Sequence, residues 1–235
     1  MKTCRFEYQH SGTIYEGFSA VPSGDIEKPV VLVFPAWRGR DQFSDHQAEL
    51  IAQLGFAAVV IDLYGKGVRG TTDEECSKLM QPFLKRRSNI LEITQQAILE
   101  AKKVMSADFE NMAAMGFCFG GLCALDMARA DGMLKGAVSF HGLLTAKEGL
   151  DVIQAKILVF HGYRDPMVSH EAVLAFCQEM DQKNADFQIV ILGQAMHAFT
   201  QPAAQNPHKG TLYHEPSAKR AFHGMHQFLK EIFKA

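Results

Sequence analysis

Residues 112–124 read MAAMGFCFGGLCA. An unbroken apolar run meets a glycine, a cysteine stands two residues further on, and two more glycines open an apolar stretch of helical composition. A run apolar at every position suits a strand covered on both faces, as in a parallel sheet. Gly116 and Gly120 lie two residues on either side of Cys118. That spacing is the G-x-S-x-G pattern of a strand turning sharply into a helix, with sulfur where oxygen usually stands, and the turn lifts its central residue out at the tip. Side chains at the flanking glycines would collide with neighbouring segments. The stretch therefore predicts a strand to Phe117, a strained turn at Cys118 and a helix beginning near Phe119.

Similar solid apolar runs recur on both sides of it: VVLVF (30–34), AAVVI (57–61), GAVSF (136–140), ILVF (157–160) and FQIVIL (187–192). Between them lie segments of helical period. Phe43 to Leu54 carries Leu50, Ile51 and Leu54 and stops at Gly55, Ser169 can cap a helix bearing Val173, Leu174 and Cys177, and Phe222, Met225, Leu229 and Ile232 form a stripe on the last helix. Strand and helix in alternation, joined by right-handed crossovers, give a doubly wound, mostly parallel α/β sheet with helices on both faces. The first twenty residues break this rhythm. Short β-like runs around His10-Ser11-Gly12 predict an antiparallel hairpin at one edge. No repeat or linker interrupts the 235 residues, so a single domain over 1–235 is expected.

Composition narrows the classes of function. A formal charge of −2 and no basic cluster larger than Lys85-Arg86-Arg87 argue against nucleic acid; three charges in a row suit a solvated helix face. The longest hydrophobic stretch, FAAVVI, is too short for a bilayer, and the first ten residues lack the apolar core of a secretory signal. Five cysteines without a C-x-x-C spacing favour neither a disulfide framework nor a zinc site, and point to a reducing, cytoplasmic setting.

In a doubly wound sheet, reactive groups collect beyond the carboxyl ends of the strands. Cys118 is at one such end, Asp165 follows ILVF in HGYRDPMV, and His197 follows FQIVIL in GQAMHAFT. The chain order of nucleophile, acid and histidine is that of the α/β-hydrolases. A nucleophile needs a base in reach, and the base needs an acceptor to fix its tautomer, which are the roles expected of His197 and Asp165. Position at a helix N-terminus favours the thiolate of Cys118. The oxyanion would be held by the backbone N–H of Phe119 and by that of Trp37 in the loop FPAWRG. Cys4, Cys76, Cys123 and Cys177 read as packing residues, and His141, after GAVSF, as a structural residue or one at the pocket mouth. His208, His214 and His223-x-x-His226 do not make a convincing metal site, and no cofactor is expected.

The elbow GFCFGG, HGYRDPMV, MHAF and the segment DLYGKG together resemble the dienelactone hydrolase family, from Val30 onward. The resemblance implies an α/β-hydrolase fold and cleavage of a small-molecule ester or lactone through a thioester, without a cofactor. Two positions depart from the family pattern. Ala36 stands where the family places a glutamate facing the resting cysteine, and Thr200 and Gln201 where it places a carboxylate-gripping arginine. An amide does not replace a guanidinium fork, which points away from dienelactone itself. Arg38, Arg40, Arg69 and Arg86 are the remaining candidate anion contacts. Thioester cleavage or acyl transfer by the same residues is the nearest alternative, and redox sensing by Cys118 a more distant one.

Overall fold

A computed structural model describes residues 1–24, 26–130, 132–147 and 151–234. The chain forms two compact units, Met1–Ala114 and Met115–Ala235. In the first, β1 (Lys2–His10) and β2 (Thr13–Val21) pair antiparallel from His10↔Thr13 to Lys2↔Val21. Their turn is Ser11 and Gly12, both at positive φ (47° and 81°), the backbone hand that matches the twist of a tight hairpin. Tyr8 and Tyr15 face each other across the pair with stacked rings 5.3 Å apart. β3 (Pro29–Phe34) is followed by α1 (Gln42–Gln53), in which Asp41 and Ser44 close a capping box. The helix ends at Gly55, whose φ of 97° suits only glycine.

β4 (Ala57–Val60) pairs parallel with β3 and antiparallel with β2. Apolar residues fill both strands, PVVLVF in β3 and AAVV in β4, because neither face meets water. Just beyond β4, buried Asp62 accepts the backbone N–H groups of Glu16, Tyr64 and Gly65, which ties the DLYG turn to the hairpin. α2 (Asp73–Lys85) and α3 (Ser88–Val104) follow. Of the run Lys85-Arg86-Arg87, only Lys85 therefore lies on a helix, and the two arginines form the joint between α2 and α3; Arg86 reaches to Glu92 at 3.0 Å. β5 (Asp108–Phe117) completes the strand order β1-β2-β4-β3-β5.

The second unit holds the end of β5, then α4 (Phe119–Ala130), β6 (Leu134–Phe140), β7 (Lys156–Gly162), α5 (His170–Gln182) and β8 (Phe187–Leu192). The strand order is β5-β6-β7-β8, with β6, β7 and β8 in parallel register. Two short strands, β9 (Gln205–Asn206) and β10 (Thr211–Leu212), flank a single 3₁₀ turn before α6 (Glu215–Phe233). Met225 and Leu229 of the expected stripe are buried, and Gly136 of β6 leaves room for Phe228 and Ile232 of α6. The expected mostly parallel α/β architecture with an antiparallel N-terminal pair is what the chain adopts.

Two details differ. The run FQIVIL forms a strand, but β8 is last in its order and only half covered, with Ile191 54% exposed. On α5, capped by Ser169, Val173 is buried while Leu174 faces solvent. Among the described residues, no helix is long and apolar enough to cross a membrane.

Arg129 near the end of α4 is 1% exposed, yet charged. Its guanidinium forks onto Glu179 of α5 at 2.8 and 2.6 Å and reaches Asp126 at 3.2 Å. Such pairing offsets the desolvation of the ions, and removing one partner strands the other. Arg129→Ala should lower the unfolding free energy by about 3–5 kcal/mol in a denaturant titration.

Candidate active site

The geometry of the elbow begins with backbone. Cys118 sits at φ 55°, a conformation that costs a non-glycine residue energy and persists only when its surroundings enforce it. The enforcing contacts are close. The Cys118 N–H donates to the Phe140 carbonyl of β6 at 3.0 Å, and the Cys118 carbonyl accepts the N–H groups of Gly121 (2.9 Å) and Leu122 (3.3 Å), which starts α4. A Cβ on Gly116 would run into the Gly120 carbonyl. The second tight position is Gly121, where a Cβ would lie 2.5 Å from Ser139 Oγ and 2.8 Å from the Gly142 Cα. Backbone thus meets backbone between α4 and β6. The result leaves the Cys118 side chain half-exposed at the N-terminus of α4, with Phe119 the first residue of the helix.

Asp165 lies three residues past β7, its N–H bonded to the Gly162 carbonyl at 3.0 Å. One carboxylate oxygen accepts the Met167 N–H at 2.8 Å and the other meets His197 Nδ1 at 2.7 Å. His197 is held through its own backbone: its N–H donates to the Gly210 carbonyl (2.9 Å), and its carbonyl accepts the Leu212 N–H (3.1 Å). Two glycines allow these loops to meet. A Cβ on Gly162 would come within 2.7 Å of the Ala195 carbonyl oxygen, and Gly210, at φ 74°, has the Pro166 ring against it. Neither glycine stood out in the sequence; each follows a recognisable segment, but its need for space arises only from the partner loop.

Acid and histidine are buried, at 5% and 2% exposure, while the sulfur is not. Burial alone would make His197 less basic. The negative charge available on Cys118 and the hydrogen bond to Asp165 overcome it, and the ring is pushed up from 6.5 to about 10. Nε2, the nitrogen not used by Asp165, completes no hydrogen bond in this arrangement, and Cys118 acts on the ring chiefly by charge. Catalytic contacts often tighten only when substrate arrives.

The other candidates from the sequence have partners or settings of their own. Trp37 is half-buried in the loop after β3, its carbonyl accepting the Tyr64 hydroxyl at 3.1 Å, and Ala36 accepts the Gly39 N–H in the same turn. The arginines are engaged: Arg38 with the carbonyls of Gly70 and Thr71, Arg40 with Glu16 and Asp45, Arg86 with Glu92, and Arg69 loosely with Asp41 at 3.9 Å. Thr200 is 1% exposed and Gln201 half-buried. Among the described residues, no group of three or more His, Cys, Asp or Glu is placed to hold a metal ion.

Comparison with known proteins places the chain in a family. The model of the dienelactone hydrolase family matches residues 15–233. The chain is 40% identical over 154 residues to an uncharacterized protein of Caenorhabditis elegans, covering 63% of this chain and 97% of that one. It is 27% identical over 183 residues to a "Probable 2-oxo-3-(5-oxofuran-2-ylidene)propanoate lactonase" of Bradyrhizobium sp, covering 73% of each. Among solved structures, a dienelactone hydrolase-like promiscuous phosphotriesterase from metagenomic libraries superimposes with a TM-score of 0.91 at 30% identity, over 99% of this chain and 98% of that one.

The raised basicity of His197 has a sign in stability. A group more basic in the folded state stabilises it fully below its ordinary value of 6.5, and the contribution fades as pH rises through about 10. Denaturant titrations from pH 7 to 10 should show falling stability, with a smaller fall in Cys118→Ala. In that variant the His197 ring should titrate lower by NMR, and an unchanged midpoint would contradict the charge assignment.

Proposed function

Because the chain belongs to the dienelactone hydrolase family and is a hydrolase of ester or lactone bonds, we propose that it cleaves small esters or lactones with Cys118 as nucleophile, His197 as base and Asp165 as its orienting acid. The observation that carries this reading is a half-exposed sulfur on a strained elbow, acting by charge on a buried imidazole whose far nitrogen is bonded to a carboxylate at 2.7 Å.

The chemistry follows from that arrangement. With the thiol proton on His197, the Cys118 thiolate adds to the substrate carbonyl carbon, and the carbonyl electron pair moves onto oxygen. The Phe119 N–H, next to the sulfur, is the proposed donor to that oxyanion, with Trp37 N–H as the second one expected from the sequence. Collapse breaks the bond to the alkoxide, which takes the proton from His197 and leaves an S-acyl enzyme. Water then adds as His197 accepts its proton, and the second collapse returns the acid and the thiolate. In a lactone the alcohol stays tethered, so one product leaves. Asp165 keeps the ring in the tautomer this needs and stabilises the imidazolium without itself being protonated. Acyl transfer to a thiol or amine shares the first half of the path and differs in the acceptor.

Thr200 is buried and Arg38, Arg40 and Arg86 are held by partners of their own, so a carboxylate clamp is not part of the proposal. A thiolate nucleophile also requires reducing surroundings, which suits the cytoplasmic setting expected from the cysteine spacing.

Mass spectrometry after mixing with a panel of activated esters and lactones should reveal an acyl adduct on Cys118. Cys118→Ala should abolish turnover with the fold retained, and full activity in that variant would refute the nucleophile. Asp165→Asn should lower kcat by about a thousandfold or more through the wrong histidine tautomer.

A further inference from the structure

The mechanism above leaves a second imidazole unused. His141 follows β6 directly, is 1% exposed and has φ 40°, another strained conformation. Its N–H donates to the Phe160 carbonyl of β7 at 2.8 Å, so the residue is fixed from the sheet side. Its ring stands edge-on to the His197 ring, centroids 5.1 Å apart at 64°, and edge-on to Phe199 at 5.2 Å and 80°. Its Nε2 is hydrogen-bonded with Thr200 Oγ1 at 2.8 Å, and Thr200 is itself buried.

Those three contacts fall on one short segment. His197, Phe199 and Thr200 belong to a turn in which Ala198 has φ 56° and the Gln201 N–H donates to the Ala198 carbonyl at 2.9 Å. An alanine in the left-handed region needs neighbours to hold it there. Of the non-glycine residues with positive φ among those described, Cys118, His141 and Ala198 all belong to this one constellation. Burial, with the His197 charge nearby as a second cause, makes His141 much less basic than usual. The ring beside the base is therefore neutral and does not repel an imidazolium.

We propose that His141 is a positioning residue: with Thr200 it fixes the turn that carries His197 and the plane of the His197 ring, and so sets how that ring meets the Cys118 sulfur. This rests on the catalytic reading of Cys118 and His197. Hydroxyl and imidazole would each act through the base, never touching substrate.

Three variants separate positioning from bulk support. Thr200→Val keeps the shape and removes the hydroxyl, Thr200→Ser keeps the hydroxyl, and His141→Phe keeps a ring without nitrogens. Each is measured for kcat and KM on an activated ester, for the pH dependence of Cys118 alkylation by iodoacetamide, for the downfield His197 Nδ1 proton by NMR, and for melting temperature. Thr200→Val and His141→Phe should lower kcat about tenfold or more with KM changed by less than about twofold, as slight misplacement of a reacting group does. Their alkylation profiles should shift along the pH axis and the Nδ1 proton should broaden, whereas Thr200→Ser should return all three to near wild type. Variants that merely melt earlier, with wild-type kcat, pH profile and Nδ1 signal, overturn the proposal. Should Cys118→Ala keep full turnover, the nucleophile reading fails instead. The Nδ1 signal of Thr200→Val then decides alone, a broadened one supporting positioning and an unchanged one refuting it.

Discussion

The left-handed backbone of Cys118 is the constraint on which the rest of the site depends. Left alone, the residue would relax into the strand or the helix, and the sulfur would turn into the packing. Three glycines prevent it. Gly116 lets the Gly120 carbonyl come close, and Gly121 and Gly142 bring α4 against β6 at backbone distance. The Phe140 carbonyl then fixes the cysteine's own N–H. What holds the sulfur out is thus mostly the absence of side chains around it, and little direct bonding to the side chain itself.

Two imidazoles 5.1 Å apart show how neighbours, more than depth, set proton affinity. His141 and His197 are almost equally buried, at 1% and 2% exposure. His141 bonds a neutral hydroxyl and becomes less basic, as desolvation requires. His197 bonds a carboxylate and faces a sulfur able to carry charge, and becomes more basic. The site therefore separates its two histidines into one of raised and one of lowered basicity.

Much of this was legible in sequence because the signals were local. The solid apolar runs marked strands with both faces covered, and the hairpin announced itself through Ser11-Gly12. β8 misled on coverage, since a run of isoleucine, valine and leucine says nothing about its place in the strand order. Arg86 and Arg87, following Lys85 at the end of α2, misled because a joint between α2 and α3 leaves the same composition as a helix face. In the site, Cys118, Asp165 and His197 were readable as residues just past strands. The link from His141 to Thr200 was not, being fifty-nine positions apart and carried by a single hydroxyl. The demands on Gly162 and Gly210 were equally hidden, for they come from carbonyls and a proline ring that only the folded chain delivers.

Gly210 joins two functions in one residue. Its carbonyl holds the His197 backbone, and its α-carbon abuts the ring of Pro166, the residue next to Asp165. Any breathing of this rim must therefore carry carboxylate and imidazole along in concert, preserving the short link between them. The elbow is anchored through Phe140. His141 comes directly after Phe140, so neighbouring residues at the end of one strand steady the cysteine's bend and the histidine's turn.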